Sequence, residues 1–275
     1  MGYSIALLCA QKGFEVMNID ISNCQLIKAK KKISNILDKL FEKNKLSAVE
    51  VENIKNRIGY STNLQEIRDS QIVIEAVSED KAVKTDIIKK LEDISSENTI
   101  VLSNTSGISI TRISEGMDRP QNIMGAHFFN PPTVLKLVEL VKGKLTSRET
   151  YEITKRFMED LDRDIVDAPE SYGFIVNRLL IPMINEAAFL LMEGTDASDI
   201  DLAMRSGANH PMGPLELGDF IGLDIVLSII KGLYSAYPDR MNLPCPLLEG
   251  LVSQGKLGKK SGQGFYKYNE KGQKI

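Results

Sequence analysis

The chain has 275 residues, of which 43% are apolar and 26% charged, so it is long enough for two domains and has the composition of a globular protein rather than a disordered one. Its net charge of −3 gives no reason to expect a nucleic-acid partner, and no apolar stretch reaches the roughly 18 residues that a membrane span needs. Cys9, Cys24 and Cys245 are scattered without CxxC spacing, which argues against a disulfide framework and a metal site and favours the cytoplasm.

The first twenty residues predict a helix, a glycine stop and a buried strand. Small and apolar side chains at helical spacing favour a helix over 1–11, and Gly13 suits its end because glycine accepts a positive φ. Apolar residues in 14–19 then predict a parallel strand, which Asp20 follows. This acid either begins a loop or hydrogen-bonds the ribose of a dinucleotide. In the second case it would repel a 2′-phosphate, which favours NAD over NADP.

Helical and strand patterns alternate as far as about residue 145. The region 28–45 predicts a long helix whose lysines form either a solvated face or a surface that attracts a phosphate-bearing substrate. The remaining patterns are strands within 71–77, 98–106 and 122–132, a helix over 84–94, an apolar run over 133–141 and a last strand within 163–170. This alternation predicts an α/β fold with a doubly wound parallel sheet of the Rossmann type.

The pattern becomes helical after Pro169. Strongly apolar helices are predicted over 176–194 and 214–234, with a shorter helix between them that ends at Gly207. We therefore predict a sheet domain over 1–169 and an all-helical domain over 170–275. The helical domain carries more apolar residues than a single core of its size needs, so a subunit interface is expected there.

Four polar residues are candidates for a catalytic site. Ser106, in "SNTSGISI", follows a predicted strand and either binds substrate or belongs to an ordinary polar turn. His127 ends the next strand, where a lone histidine is usually a packed core residue. Glu139 lies in an apolar run, however, and a buried carboxylate needs a partner. A His127–Glu139 pair would meet that need and supply a general base. Asn177 is either a further site residue or an ordinary polar residue near a helix start.

Four segments in order carry a resemblance to a known family. They are "SNTSGISI", "GAHFFNPP" with "LKLVELV", "GFIVNRLLIPMINEA" and "GANHPMGPLELGDFIGLD". Together they closely resemble the short-chain 3-hydroxyacyl-CoA dehydrogenases, above all the bacterial members that act on 3-hydroxybutyryl-CoA in butyrate metabolism. The resemblance extends over essentially the whole chain, including the closing "LGKKSGQGFYKY".

The resemblance implies a function and a set of site residues. The expected reaction interconverts (S)-3-hydroxybutyryl-CoA and acetoacetyl-CoA with NAD, in a homodimer formed by the helical domain. The catalytic histidine falls on His127 and its partner on Glu139, while Ser106 and Asn177 would hold the substrate. The expected NAD contacts are Gly2, Asp20, Glu79, Lys84, Asn130 and Lys260, and the expected CoA contact is Lys43. Gly107 stands where the family usually has a second serine, so one hydroxyl is missing there.

The resemblance also raises an expectation about the N-terminus. Family members begin with a strand and the fingerprint G-x-G-x-M-G, whose last two residues align with Met1 and Gly2. We expect 1–169 to be an N-terminally truncated NAD-binding domain, with the chain starting at an internal methionine. A genuine short variant is the alternative.

Two other functions stay open at this point. One is a non-catalytic homologue that serves as a dimeric CoA-binding or scaffold protein. The other is a dehydrogenase of the same fold for a hydroxy acid without CoA. The complete set of Ser106, His127, Glu139 and Asn177 argues against the first, and the lysine-rich helix against the second.

Overall fold

The computed structural model describes residues 1–240 and 243–275 and divides into two compact units, Met1–Ser171 and Tyr172–Ile275. The strands of the first unit are β1 (Val16–Ile19), β2 (Ile58–Ser61), β3 (Ile72–Glu75), β4 (Ile100–Ser103), β5 (Ile123–Phe128), β6 (Leu137–Lys142) and β7 (Asp164–Ala168). Its helices are α1 (Gly2–Gln11), α2 (Asn23–Glu42), α3 (Ala48–Asn56), α4 (Lys81–Ile94), α5 (Ile110–Ser114) and α6 (Arg148–Asp160).

The strands of the first unit form two sheets. β1 and β2 pair in parallel, and the second sheet has the order β3-β4-β5-β6-β7. Its pairs are parallel except for β5 and β6, which are antiparallel. The predicted Rossmann-type α/β fold is confirmed, but the prediction of a wholly parallel sheet is wrong at this point. The reason is the short loop over 129–136, because a parallel pair needs a crossover of a dozen or more residues.

Helix α1 is buried on opposite sides by two cores. Ile5, Leu8 and Cys9 pack against the strands of the larger sheet, while Leu7 and Ala10 pack against α2, α3 and β2. A helix that is apolar all round is stable only when it is surrounded in this way. Its apolar sequence therefore follows from its position between the two sheets' cores.

The region after β1 differs most from the sequence prediction. The lysine-rich helix begins at Asn23 rather than near residue 28 and ends at Glu42. Asn44 then takes a φ of 52°, a conformation that favours asparagine and breaks the helix. Helix α3 and strand β2, which follow this turn, were not predicted from the sequence.

The second unit is helical, as predicted. Its helices are α7 (Val176–Met192), α8 (Ala197–Gly207), α9 (Pro214–Ile221), α10 (Leu223–Ala236) and α11 (Pro246–Ser253). The single helix predicted over 214–234 is two helices, because Gly222 takes a φ of 107° between them. Within residues 1–240 and 243–275, no helix combines the length and the apolar character needed to cross a membrane.

Candidate active site

His127 and Glu139 form the centre of the candidate site. They lie directly opposite each other on the antiparallel strands β5 and β6, so their side chains project from the same face. The imidazole Nδ1 lies 2.7 Å from Glu139 Oε2, and Glu139 is 0% exposed. An ionised carboxylate only accepts hydrogen bonds, so it selects the tautomer with the proton on Nδ1. The basic nitrogen of the pair is then Nε2, as a general base requires.

The turn that carries Ser106 is fastened to the strand of His127. β4 ends at Ser103, which pairs with Gly125 of β5. Asn104 Oδ1 then accepts the backbone N–H of Phe128 at 2.9 Å. This bond joins the residue after β4 to the residue after His127, so the half-buried Ser106 is held beside the His127 strand. Asn104 lies within the motif "SNTSGISI", but no role was predicted for it from the sequence.

The predicted dinucleotide contacts at the start of the chain lie at element ends. Gly2 is the first residue of α1, and the N-terminus of a helix offers backbone N–H groups to a diphosphate. Asp20 follows β1 directly, and its Oδ1 accepts the N–H of Ser22 at 2.9 Å. The second carboxylate oxygen remains for a ribose hydroxyl. A glycine at the helix start and an acid at the strand end fit a dinucleotide.

Glu79 and Lys84 occupy different environments. Glu79 Oε1 accepts the Thr105 hydroxyl and the backbone N–H of Ser106, both at 2.7 Å. Lys84 is 0% exposed, with its ammonium 2.9 Å from Glu75 Oε1 and 3.4 Å from Glu79 Oε2. In this structure the Lys84 ammonium lies behind the Glu79 carboxylate, and its contact with the cofactor stays a prediction.

The remaining predicted site residues lie apart from these contacts. Asn130 is exposed in the loop after β5, and its bond to Pro131 is cis. Lys43 is exposed directly after α2.

Two predicted residues belong to the second unit. Asn177 lies half-buried in the first turn of α7, and Lys260 Nζ contacts both carboxylate oxygens of Asp224 at 2.5 and 2.7 Å. No group of three or more His, Cys, Asp or Glu side chains in the described part of the chain is arranged to hold a metal ion.

Sequence models of known families match both units of the chain. Residues 1–171 match the NAD binding domain of 3-hydroxyacyl-CoA dehydrogenase, and residues 173–268 match the C-terminal domain of the same enzyme. The two matches meet where the structure divides into its two units.

Individual relatives resemble the chain over nearly its whole length. A probable 3-hydroxybutyryl-CoA dehydrogenase of Bacillus subtilis is 44% identical over 98% of this chain and 95% of its own. The 3-hydroxybutyryl-CoA dehydrogenase of Clostridioides difficile is 40% identical over 98% of this chain and 96% of its own. The crystal structure of (S)-3-hydroxybutyryl-CoA dehydrogenase from Ralstonia eutropha superimposes with a TM-score of 0.94 at 39% identity, covering 98% of this chain and 96% of that one.

Proposed function

Because the chain belongs to the 3-hydroxyacyl-CoA dehydrogenase family, we propose that it interconverts (S)-3-hydroxybutyryl-CoA and acetoacetyl-CoA. It is an oxidoreductase, and NAD is its cofactor. The observation that carries the proposal is the buried His127–Glu139 pair beside the Ser106 turn. This arrangement provides a general base and a hydroxyl donor at the edge of the sheet where α/β proteins bind ligands.

In the direction of oxidation, His127 Nε2 takes the proton of the substrate's 3-hydroxyl group. Glu139 holds the ring through Nδ1 and stabilises the imidazolium that forms, because its negative charge is fully buried beside it. In the direction of reduction the same nitrogen returns the proton to the 3-oxygen. When bound, NAD would accept a hydride from C3 of the substrate in the oxidation, and its reduced form would return the hydride in the reduction.

Ser106 and Asn177 orient the substrate oxygens in this proposal. Both have side chains that donate hydrogen bonds, and both are half-buried rather than freely exposed. Fixing the substrate in one orientation accelerates the reaction because the reacting groups no longer have to find each other. Lys43 contributes positive charge for the phosphates of CoA.

The NAD contacts are proposed at six residues, which are Gly2, Asp20, Glu79, Lys84, Asn130 and Lys260. Gly2 provides backbone N–H donors for the diphosphate and Asp20 an acceptor for the adenosine ribose. Lys260 is half-exposed, and its contact with Asp224 leaves one of three ammonium protons for a ligand.

We also propose that the protein is a cytoplasmic homodimer of butanoate and fatty acid metabolism, joined through the helical unit. Exposed large apolar side chains on that unit support the interface, among them Leu179, Leu202 and Phe220. The three free cysteines support a reducing compartment.

The test is the oxidation of NADH by purified protein with acetoacetyl-CoA as substrate. We expect turnover of the thioester and none of free acetoacetate, because the lysine-rich helix offers its charge to the CoA phosphates. Comparable turnover of both substrates would contradict the CoA part of the proposal. NADH binding without turnover of either would favour a non-catalytic homologue.

A further inference from the structure

A buried ion pair lies beside the site and includes Glu75, to which the proposed reaction gives no role. Glu75 is the last residue of β3, and Lys84 lies in the second turn of α4. The Lys84 ammonium is 2.9 and 3.1 Å from the two carboxylate oxygens. Both side chains are shielded from water, so each charge depends on the other.

The carboxylate of Glu75 also joins two strand ends. Its Oε1 accepts the backbone N–H of Val77 at 2.7 Å, and its Oε2 accepts the Ser103 hydroxyl at 2.6 Å. Ser103 is the last residue of β4. Glu75 therefore ties β3 to β4 at their carboxyl ends, directly before the turn that carries Ser106.

The contact continues from Lys84 to Ser106 by way of Glu79. Lys84 Nζ lies 3.4 Å from Glu79 Oε2, while Glu79 Oε1 accepts the Thr105 hydroxyl and the Ser106 N–H. The side chain of Glu79 is 41% exposed, so it has room for several rotamers. The buried ammonium favours the rotamer in which Glu79 holds the turn.

We infer that Glu75 and Lys84 are a positioning pair that, through Glu79, fixes the backbone of Ser106 at the substrate site. The inference rests on the proposed function, which assigns Ser106 to the substrate. Stability alone does not account for the pair, because well-packed apolar side chains usually stabilise a core at least as well as a buried ion pair. Its connection to the Ser106 turn gives the two charges a task that apolar residues would not perform.

The variant Glu75→Gln tests the inference. Glutamine keeps the shape of the side chain but removes its charge, so the ammonium is drawn towards Glu79 and competes with Thr105 and Ser106 for that carboxylate. We expect KM for acetoacetyl-CoA to rise and kcat/KM to fall about 10²-fold, the effect of a small misplacement of a substrate-orienting group. Amide hydrogen exchange should become faster in the segment 103–109.

Two further variants separate positioning from stability. Ile88→Ala removes a fully buried apolar side chain from the same helix and should lower the melting temperature while leaving KM and the exchange of 103–109 unchanged. The double variant Glu75→Gln/Lys84→Met removes both buried charges. It should melt at a higher temperature than Glu75→Gln while KM stays raised, because Glu79 has lost its ammonium partner.

The outcomes distinguish this inference from the proposed function. Lack of turnover by the unaltered protein would contradict the proposed function, whereas the exchange measurement tests the positioning pair without activity. Unchanged exchange of 103–109 in Glu75→Gln would overturn the inference. A KM increase shared to the same extent by Ile88→Ala would overturn it as well, since that effect would come from lost stability.

Discussion

His127, the proposed acid–base residue, is held by strand geometry rather than by a loop. His127 and Glu139 are a directly opposed pair on β5 and β6, and the ring of Phe129 lies 4.6 Å from the imidazole. The imidazole of His127 can therefore rotate little without breaking its 2.7 Å contact with Glu139 or colliding with Phe129. Because Glu139 is fully buried, removal of the histidine takes away a hydrogen-bond partner of a carboxylate in the interior. A substitution that preserves the size and the hydrogen bonding of the side chain is therefore the best way to distinguish an effect on catalysis from an effect on stability.

His127→Gln should lower kcat by about 10²–10⁴-fold, the usual contribution of a positioned acid–base group. Glutamine can still donate to Glu139 through its amide, so the fold should be retained. Steady-state kinetics with acetoacetyl-CoA measure the effect, and circular dichroism checks the fold.

Glu139→Gln is the companion experiment. Its amide oxygen can accept the Nδ1 hydrogen, but a neutral side chain cannot stabilise the imidazolium, so kcat should fall with little change in KM. Turnover at the unaltered rate would remove Glu139 from the mechanism.

Asp20 should determine the choice between NAD and NADP. Asp20→Ala should narrow the preference for NAD, because the like charge that repels a 2′-phosphate is gone. Asp20→Asn removes the charge alone, since its amide oxygen can still accept the Ser22 N–H, and it therefore controls for damage to the turn. Both variants should change the ratio of kcat/KM for the two cofactors. An unchanged ratio in both would mean that Asp20 serves only the turn.

At the scale of elements, hydrophobic period and residue type identified the helices and strands with the strongest patterns. α1, β4, β5 and α7 were predicted because each has a continuous apolar run with a clear stop. α3 was missed because it is only nine residues long, although Ser47 and Glu50 form a capping box that is readable in the sequence. Spacing alone could not separate α9 from α10, since only the φ of Gly222 interrupts the pattern.

The residues of the candidate site, like the helices and strands, were predictable from the sequence only in part. Glu139 was identifiable because a charge in an apolar run needs a partner. Glu75 and Asn104 were not, because their partners come from neighbouring strands and depend on a register that the sequence does not state. The antiparallel pairing of β5 with β6 likewise depends on how a short loop turns.

One carboxylate fastens the C-terminal segment of the second unit to α9. Asp219 accepts the N–H groups of Phe265 and Tyr266 and the hydroxyl of Tyr268, each at 2.9 Å. A Cβ at Gly264 would lie only 1.9 Å from Asp219 Oδ1, so this approach requires glycine. Burial raises the pKa of Asp219 above its usual range, against the opposing effect of these donors.

Asp219→Asn should destabilise the second unit by about 1–3 kcal/mol, because one oxygen becomes an amide nitrogen that faces other donors. The pH dependence should change as well. The pKa of Asp219 is higher in the folded protein than in the unfolded chain, where it is about 3.9. The contribution of Asp219 to the free energy of unfolding is therefore complete below the unfolded-state pKa and is lost as the pH rises through the folded-state pKa. The difference in free energy of unfolding between the two proteins should therefore shrink with rising pH in urea titrations. A pH-independent difference would contradict this account.

At the scale of the whole molecule, the apolar surface of the second unit is only partly covered by its own packing. The second unit has a core of its own, built on α7, α10 and α11. Large apolar side chains nevertheless stay exposed on α7, including Leu179 and Leu190. These two residues are eleven positions apart, about three helical turns, and therefore lie on one face of α7. An exposed apolar face of this kind is typical of a subunit interface.

Leu179→Glu/Leu190→Glu should convert the proposed homodimer to monomers. Leu179 is 72% exposed in the single chain, so a carboxylate there is harmless to an isolated subunit but unfavourable in an apolar interface, where it would lose its hydration. Val49→Glu is the matched control, because Val49 is 69% exposed on α3 of the first unit. Sedimentation velocity should report a dimer for the unaltered protein and for Val49→Glu, and a monomer for the double variant. A dimer in all three would place the interface elsewhere, since two buried charges in each subunit would otherwise oppose association.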